Sequence, residues 1–135
     1  MINTKRLYTL STIIWILMIF AFSLQNAINS SALSDDALNI IQKLFPFIPY
    51  NLFVIFLLRK AAHFIEYFIL GMFTAKSEFK PIFYLIYLVP IIDECLQFFA
   101  EGRGPSIIDA LWDMCALSLA FYLFKVIILK KKKAD

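Results

Sequence analysis

The segment LFVIFLLRKAAHFIEYFILGMF, residues 52–73, decides how this chain folds. Its apolar length is sufficient for a helix to cross a hydrocarbon core of about 30 Å. Four ionisable side chains interrupt the run: Arg59, Lys60, His63 and Glu66. Each costs on the order of 2.5 to 3.5 kcal/mol at bilayer depth on insertion scales, so each needs a partner or a function. We therefore predict a membrane helix whose charged face is turned toward other helices.

Three further apolar runs flank this segment, at about residues 7–24, 81–99 and 107–129. Across the whole chain 61% of the 135 residues are hydrophobic, and the mean hydropathy is +0.77. A soluble domain of this size could not cover so much apolar surface with polar side chains. The sequence therefore predicts an all-α fold, an integral membrane four-helix bundle that forms a single domain over residues 1–135.

The first run also fits a secretory signal peptide, because Lys5 and Arg6 precede it. Its apolar length exceeds the range of about 7 to 15 residues that is usual for such peptides, and no small-residue cleavage site follows it. We therefore predict that this helix is retained as the first span.

The connection over residues 25–50 predicts a short amphipathic helix on the membrane interface, between the first and second spans. Its apolar side chains recur at helical spacing: Leu38, Ile41, Leu44 and Phe45. Ser34 is the candidate N-cap, because two acidic residues follow it directly. Pro46 and Pro49 are expected to end the helix.

The distribution of basic residues predicts the orientation. They lie before the first span, between the second and third, and after the fourth: Lys5, Arg6, Lys76, Lys80 and the run Lys130 to Lys133. These groups share one side of the membrane only if there are four spans, and the positive-inside rule makes that side cytoplasmic. Both termini are therefore expected in the cytoplasm. The net charge of +3 then reflects anchoring at the membrane and does not indicate nucleic-acid binding.

Polar residues recur on one face of three predicted spans. The steps are i, i+4 or i, i+7: Arg59, His63 and Glu66; Asp93 and Gln97; Asp109 and Asp113. Under the predicted topology these faces meet in the extracellular half, at the level of Ser23, Gln25 and Arg103. Three cations there oppose five carboxylates: Arg59, Lys60 and Arg103 against Glu66, Asp93, Glu94, Asp109 and Asp113. The excess acid requires protonation, a cationic His63, water or a bound cation.

Two cysteines lie inside apolar stretches, at positions 95 and 115, without metal-site spacing. We predict that Cys95 and Cys115 are small buried hydrophobic residues. No ligand motif such as H-E-x-x-H is present, so the sequence predicts no metal ligands and no cofactor. Whether a cation occupies the acidic cluster is left open.

Several ordered motifs resemble those of the VanZ-like family of bacterial membrane proteins, which is named for a component of glycopeptide-resistance clusters. They are RKAAHFIEY at 59–67, DECLQFF at 93–99 followed by Gly102-Arg103, SIID at 106–109, and FAFSLQ at 20–25. The chain departs from the family at Asp113, where the family usually has Asn, and at Ala116 and Ala120 in place of glycines. The resemblance implies a four-span protein of the cytoplasmic membrane, linked to the cell envelope, with low-level teicoplanin-type resistance for some members.

The first functional hypothesis is binding or modification at the outer leaflet. The ligand would be a membrane lipid head group, a lipid-linked envelope precursor or a glycopeptide antibiotic that carries a lipid. Arg59, Lys60 and Arg103 would hold its phosphate or carboxylate. The remaining predicted ligand-binding residues are Ser23, Gln25, Gln97 and Asp109.

Two alternatives remain open. In an intramembrane enzyme for phosphoryl or acyl transfer or hydrolysis, the catalytic residues would be His63, Glu66, Asp93 and Glu94. In a structural protein, the same side chains would form a hydrogen-bonded network that locks the helices together. The sequence does not indicate the oligomeric state.

Overall fold

The computed structural model describes residues 4–25, 27–77 and 81–134. Every regular element in these ranges is helical: α1 (Thr4–Ser23), α2 (Ala27–Leu44), α3 (Leu52–Lys76), α4 (Ile82–Leu85), α5 (Val89–Gln97) and α6 (Ile107–Ala134). A 3-10 turn at Ile86–Leu88 joins α4 to α5. The all-α prediction is therefore confirmed.

Two helices within the described ranges are long and apolar enough to cross a membrane: α1 (Thr4–Ser23) and the Ile107–Ile127 part of α6. Only 17% of the apolar window of α1 and 28% of that of α6 are buried inside the fold. The core helix of a soluble protein would be mostly buried, and an exposed apolar surface this large is not stable in water. The outer surface of the molecule is therefore suited to lipid.

The predicted span over residues 81–99 is not one continuous α-helix. Pro90 has no backbone N–H, so the hydrogen bond that it would donate to Ile86 cannot form. The chain tightens into the 3-10 turn at Ile86–Leu88, and α5 begins at Val89 with Pro90 in its first turn. α4, the turn and α5 still follow one another directly and form a segmented rod.

The helix between α1 and α3 is longer than the sequence predicted, and its predicted N-cap is wrong. α2 begins at Ala27, so Ser34 lies inside the helix, and its hydroxyl donates to the carbonyl of Ser30 at 3.0 Å. This bond to the preceding turn satisfies the side chain without ending the helix. α2 contacts α3, and its Leu38 is fully buried.

α3 begins where Asn51 caps it, since the Asn51 side chain accepts a hydrogen bond from the Val54 N–H at 2.9 Å. Its most extensive contact is with α6. The two backbones touch at Gly71, where an added Cβ would lie 2.5 Å from the carbonyl oxygen of Leu117 and 2.9 Å from Cβ of Ala120. Small residues therefore set the distance between these helices, as is common in membrane proteins.

Basic side chains gather at one end of the molecule, which we call the basic end. Lys76, at the end of α3, lies over the rings of Tyr8 and Phe124 at 5.1 and 5.0 Å from the centroids. Lys125 of α6 lies over the ring of Phe121 at 5.1 Å. α1 therefore starts where α3 and α6 end. Lys80, which contributed to the predicted charge bias, lies outside the described residues.

Both cysteines are exposed, so the prediction that they are buried is wrong. α5 buries the face that carries Asp93, Glu94 and Gln97, which leaves Cys95 on the opposite side. Cys115 of α6 likewise lies away from the buried face. Apolar surroundings in the sequence did not distinguish a face toward the core from a face toward lipid.

We expect Gly71→Ala to destabilise the fold by about 2 kcal/mol, because the new methyl group would push α3 away from the backbone of α6. Thermal unfolding of the detergent-solubilised protein measures this. Gly104→Ala is the matched control, because an added Cβ there meets nothing within 4 Å. Equal unfolding temperatures for the two variants would contradict the close contact.

Candidate functional site

The structure brings the polar residues of the helices together at the end opposite the basic end, which we call the polar end. The predicted site residues that meet there are Ser23, Gln25, Arg59, Lys60, His63, Glu66, Asp93, Glu94, Gln97, Arg103 and Asp109. Helical spacing accounts for the residues within single helices that are three, four or seven positions apart, whereas Gln25 and Arg103 reach the site from outside the helices.

Glu94 holds the loop over residues 98–106, which carries Arg103. Its Oε2 accepts a hydrogen bond from the Ser106 N–H at 2.7 Å, and its Oε1 accepts one from Gln97 Nε2 at 3.3 Å. The Ser106 hydroxyl in turn accepts a hydrogen bond from the Asp109 N–H at 3.3 Å, at the start of α6. The positive end of the α6 dipole favours the carboxylate at this position. Glu94 is therefore engaged in positioning the loop.

Gly102 has φ 76°, a left-handed conformation that side-chain-bearing residues rarely adopt. It allows the chain to turn back after α5 and places Arg103 over the polar end. The glycine before the arginine in the sequence motif is thus a requirement of the turn.

Polar contacts join the helices in pairs around the site. The Ser23 hydroxyl of α1 donates to Asp93 Oδ1 of α5, and Lys60 of α3 forms an ion pair with Asp109 of α6. Trp15 of α1 also donates from Nε1 to the carbonyl of Glu66 at 2.9 Å. Ser23, Lys60 and Asp109 therefore have structural partners as well as places in the predicted site.

A second group of polar atoms is buried between α3, α5 and α6. Nδ1 of His63 lies 3.4 Å from Oδ2 of Asp113, and neither atom has a hydrogen-bond partner. The other unpartnered buried atoms here are Asp113 Oδ1, Asp93 Oδ2 and Tyr67 Oη. Asp113, Asp93 and Tyr67 are at most 1% exposed. We call His63, Asp93 and Asp113 the acidic triad.

Tyr67 was not among the residues predicted for the site, and Asp113 was counted in its acidic cluster without a catalytic or ligand-binding role. Each had a signal in the sequence, because Asp113 follows Asp109 by four residues and Tyr67 follows His63 by four. The family usually has Asn at this position, so the resemblance assigned no role to Asp113. Its complete burial beside His63 places it at the centre of the polar end.

Two cavities open at the polar end. The larger, about 570 Å³, lies among α2, α3, the 98–106 loop and the start of α6. The smaller, about 380 Å³, lies among α1, α2 and α3, and half of its lining residues are apolar: Ile19, Phe22, Leu33, Ala37, Leu58, Ala61, Ala62 and Ile65. Three residues line both cavities and separate them: Arg59, His63 and Arg103.

Arg59 and Arg103 have no carboxylate oxygen within 4.0 Å in the described part of the chain. Partial burial of the Arg103 guanidinium lowers the pKa of that group, and the positive charge of Arg59 lowers it further. The two guanidinium groups line the same two cavities and form no direct ion pair, although the charges of Asp93, Glu94 and Glu66 also act on Arg103. They form a cationic wall between the cavities that is able to bind an anion.

α2 takes part in the site, although the sequence predicted only an interfacial helix. Asp35 of α2 lines the larger cavity and accepts a hydrogen bond from the Tyr50 hydroxyl at 2.8 Å. This hydrogen bond and the charge of Asp35 raise the pKa of Tyr50. The contact ties the loop before α3 to α2 at the rim of the cavity. Nothing in the spacing of the polar residues of α2 indicated this contribution.

A family model described as VanZ/LLP1 matches residues 8–129. This chain belongs to that family. The match includes every residue of the site described above and confirms the resemblance found in the sequence motifs. Together with the two apolar, largely exposed helices, it shows that the chain is a membrane protein. No curated protein and no solved structure matches the chain.

We expect Glu94→Ala to loosen the 98–106 loop, because the Ser106 N–H loses its carboxylate acceptor. Hydrogen exchange of peptides that contain Ser106 should be at least tenfold faster, while exchange in the middle of α3 stays unchanged. Glu101→Ala is the control, since Glu101 is an exposed acidic residue of the same loop. Equal exchange in both variants would show that Glu94 does not position the loop.

Proposed function

We propose that this VanZ/LLP1 protein binds the anionic head group of a membrane lipid or of a lipid-linked envelope precursor at the outer leaflet. The observation that carries the proposal is the cationic wall of Arg59 and Arg103, which lies between two cavities, the smaller of which has the more apolar lining. Guanidinium groups bind phosphate or carboxylate oxygens with two parallel hydrogen bonds. An anion with both a polar and an apolar part suits this position.

The two cavities fit the two parts of an amphiphile. The larger cavity has a volume within the usual range of about 300 to 1,000 Å³ for small-ligand sites, and its lining includes Ser31, Gln97 and Asp109. These side chains offer hydrogen bonds to a sugar or peptide head group. The smaller cavity offers apolar side chains for the start of an acyl or prenyl chain. The phosphate would lie at the wall, where head group and chain are joined.

The membrane arrangement that goes with this function is a four-helix bundle in which α1, α3, the α4–α5 rod and α6 each cross the bilayer. At 25 residues, α3 is about 37 Å long, which is enough to span the hydrocarbon core. The basic end would face the cytoplasm, and the polar end would face outward. Exposed aromatic residues near the start of α3 support an interface at this level: Phe45, Phe47, Tyr50 and Phe53.

Binding at this surface offers a route to the resistance that the family resemblance implies. A protein that holds or redistributes lipids or precursors there would change how many drug molecules reach their target. Low-level resistance is the size of effect expected from partial redistribution.

Transfer or hydrolysis at the bound head group is the second candidate function. His63 lines both cavities and lies 3.4 Å from Asp113, so it is able to accept or donate a proton beside a bound phosphate. The lipids and precursors of a deletion strain distinguish the two functions. A covalent species that appears or disappears would favour catalysis, and an unchanged profile would favour binding.

We expect Arg59→Gln to weaken binding of phosphatidylglycerol at least tenfold, because a charge-assisted hydrogen bond is lost. Native mass spectrometry of the detergent-solubilised protein in EDTA measures this. Phosphatidylcholine with the same acyl chains should bind much more weakly to the wild type, because its head group has no net charge. Inorganic phosphate as a competitor distinguishes a phosphate site from a lipid site.

Arg6→Gln is the control for the Arg59 experiment, because Arg6 is an exposed arginine near the opposite end of α1. Its loss of phosphatidylglycerol binding should be much smaller than that of Arg59→Gln, since a basic residue at the cytoplasmic interface attracts anionic lipid only non-specifically. Arg59→Lys should fall between the wild type and Arg59→Gln, since it keeps the charge and loses the two-pronged geometry. If Arg59→Gln binds phosphatidylglycerol as the wild type does, the cationic wall is not the lipid site.

We expect reporter fusions at both chain ends to be active only on the cytoplasmic side. Residue Glu101, in the loop at the polar end, should be labelled from outside after substitution by cysteine in a background without Cys95 and Cys115. The physical reason is that basic residues are retained on the cytoplasmic side during insertion. Chain ends on opposite sides of the membrane would overturn the four-span arrangement.

A further inference from the structure

We infer that the acidic triad of His63, Asp93 and Asp113 binds a divalent transition-metal cation of the Zn²⁺ or Mn²⁺ type. Each of the three residues offers one ligand atom, and these atoms all lie within 4.8 Å of one another. The inference goes beyond lipid binding and does not depend on it, because neither arginine of the cationic wall belongs to the triad.

Several buried polar atoms of the triad have no hydrogen-bond partner. Both oxygens of Asp113, Oδ2 of Asp93 and Nδ1 of His63 are buried without a hydrogen bond. Buried polar atoms are nearly always partnered, and a buried charge without a partner costs several kcal/mol. A protonated Asp113 would have only His63 Nδ1, 3.4 Å from its Oδ2, as an acceptor, and Oδ1 of Asp113 and Oδ2 of Asp93 would still lack a partner. A cation satisfies all of these atoms together.

A divalent cation would balance the negative charge of the two aspartates in the triad. Asp93 and Asp113 are 1% and 0% exposed; Lys60 pairs with Asp109, and among the described residues only His63 lies within ion-pair distance of either carboxylate, 3.4 Å from Asp113. Two carboxylates and one divalent cation sum to zero, with the imidazole of His63 neutral, as metal binding requires. A monovalent cation would leave a net negative charge in a buried place.

The spacing of the ligand atoms, and a hydrogen bond that orients one of them, are compatible with a metal site. Ligand atoms at about 2.0 to 2.2 Å from an ion are about 3 to 4 Å apart, so the widest separation in the triad, up to 4.8 Å, has to shorten by about 1 Å when an ion binds. The Ser23 hydroxyl already binds Oδ1 of Asp93, which leaves Oδ2 for the ion. Such hydrogen bonds from outside the ligand set orient metal-binding carboxylates.

The type of ion follows from the donor atoms. An imidazole nitrogen favours Zn²⁺ and other transition metals over Ca²⁺ and Mg²⁺, and carboxylates suit Mn²⁺ as well as Zn²⁺. The hydroxyl of Tyr67 is buried in the same cluster, close to Asp93, and is able to bind a water molecule on the ion. Since His63 also lines both cavities, the ion would lie next to the cationic wall and add to its attraction for a phosphate.

The test uses the full chain in a neutral detergent without added lipid. After treatment with EDTA and removal of the chelator, Mn²⁺ is titrated while electron paramagnetic resonance measures the free ion. We expect one Mn²⁺ per chain, displaced by Zn²⁺. Asp113→Asn and Asp93→Asn should each lower the affinity at least tenfold. Asp36→Asn, at an exposed acidic residue of α2, should bind as the wild type does.

Thermal unfolding separates a metal site from a structural network. In EDTA, Asp113→Asn should unfold at the same temperature as the wild type or higher, because the substitution removes a buried charge and keeps the shape. In Mn²⁺ or Zn²⁺, the wild type should become the more stable protein. A metal-independent loss of stability in Asp113→Asn would favour the network and overturn the inference.

The inference is also overturned if added metal leaves the unfolding temperature of the wild type unchanged and the wild type takes up no Mn²⁺. That holds whatever the variants do. Equal affinity in the wild type and Asp113→Asn would overturn the inference as well. Lipid binding is measured in EDTA, and metal binding is measured without lipid. The lipid proposal and the metal inference are therefore able to fail independently of each other.

Discussion

The charged side chains of α3 between Arg59 and Glu66 have to face the inside of the molecule, because the outer surfaces of the helices around them are apolar. That constraint fixes the rotation of α3 about its axis. It also places Tyr67, Leu70 and Gly71 on the inward face, and there the backbone of α3 meets that of α6. The polar residues of α3 and its close contact with α6 therefore lie on the same face of α3.

The same constraint limits how each polar group is used. Lys60, Asp109, Ser23 and Glu94 have partners that hold helices or the 98–106 loop in place. The cationic wall and the acidic triad are different. The two guanidinium groups form no direct ion pair, and both oxygens of Asp113 and Oδ2 of Asp93 are buried without a hydrogen bond. Keeping such groups unpaired costs stability, and proteins retain that cost mainly where a ligand offsets it. The two groups are adjacent and of opposite sign, which suits an anion on one side and a cation on the other.

His63 connects these two groups, because it lines both cavities and also faces Asp113. An event at the triad would therefore change the charge next to the wall, and a ligand at the wall would change the surroundings of the triad. Metal binding at the acidic triad and anion binding at the cationic wall are expected to be coupled through His63.

The sequence by itself determined the all-helical class, the family and most of the polar residues that meet at one end. Periodicity is sufficient for this, because a charge in an apolar helix has only the interior to face, and steps of four residues mark that face. Tertiary structure decided the rest: the break before Pro90, the length of α2, the exposure of the cysteines and the central place of Asp113. It also decided which charges are paired and which are not. These features depend on distances between side chains of different helices, and the spacing within one helix carries no information about its neighbours.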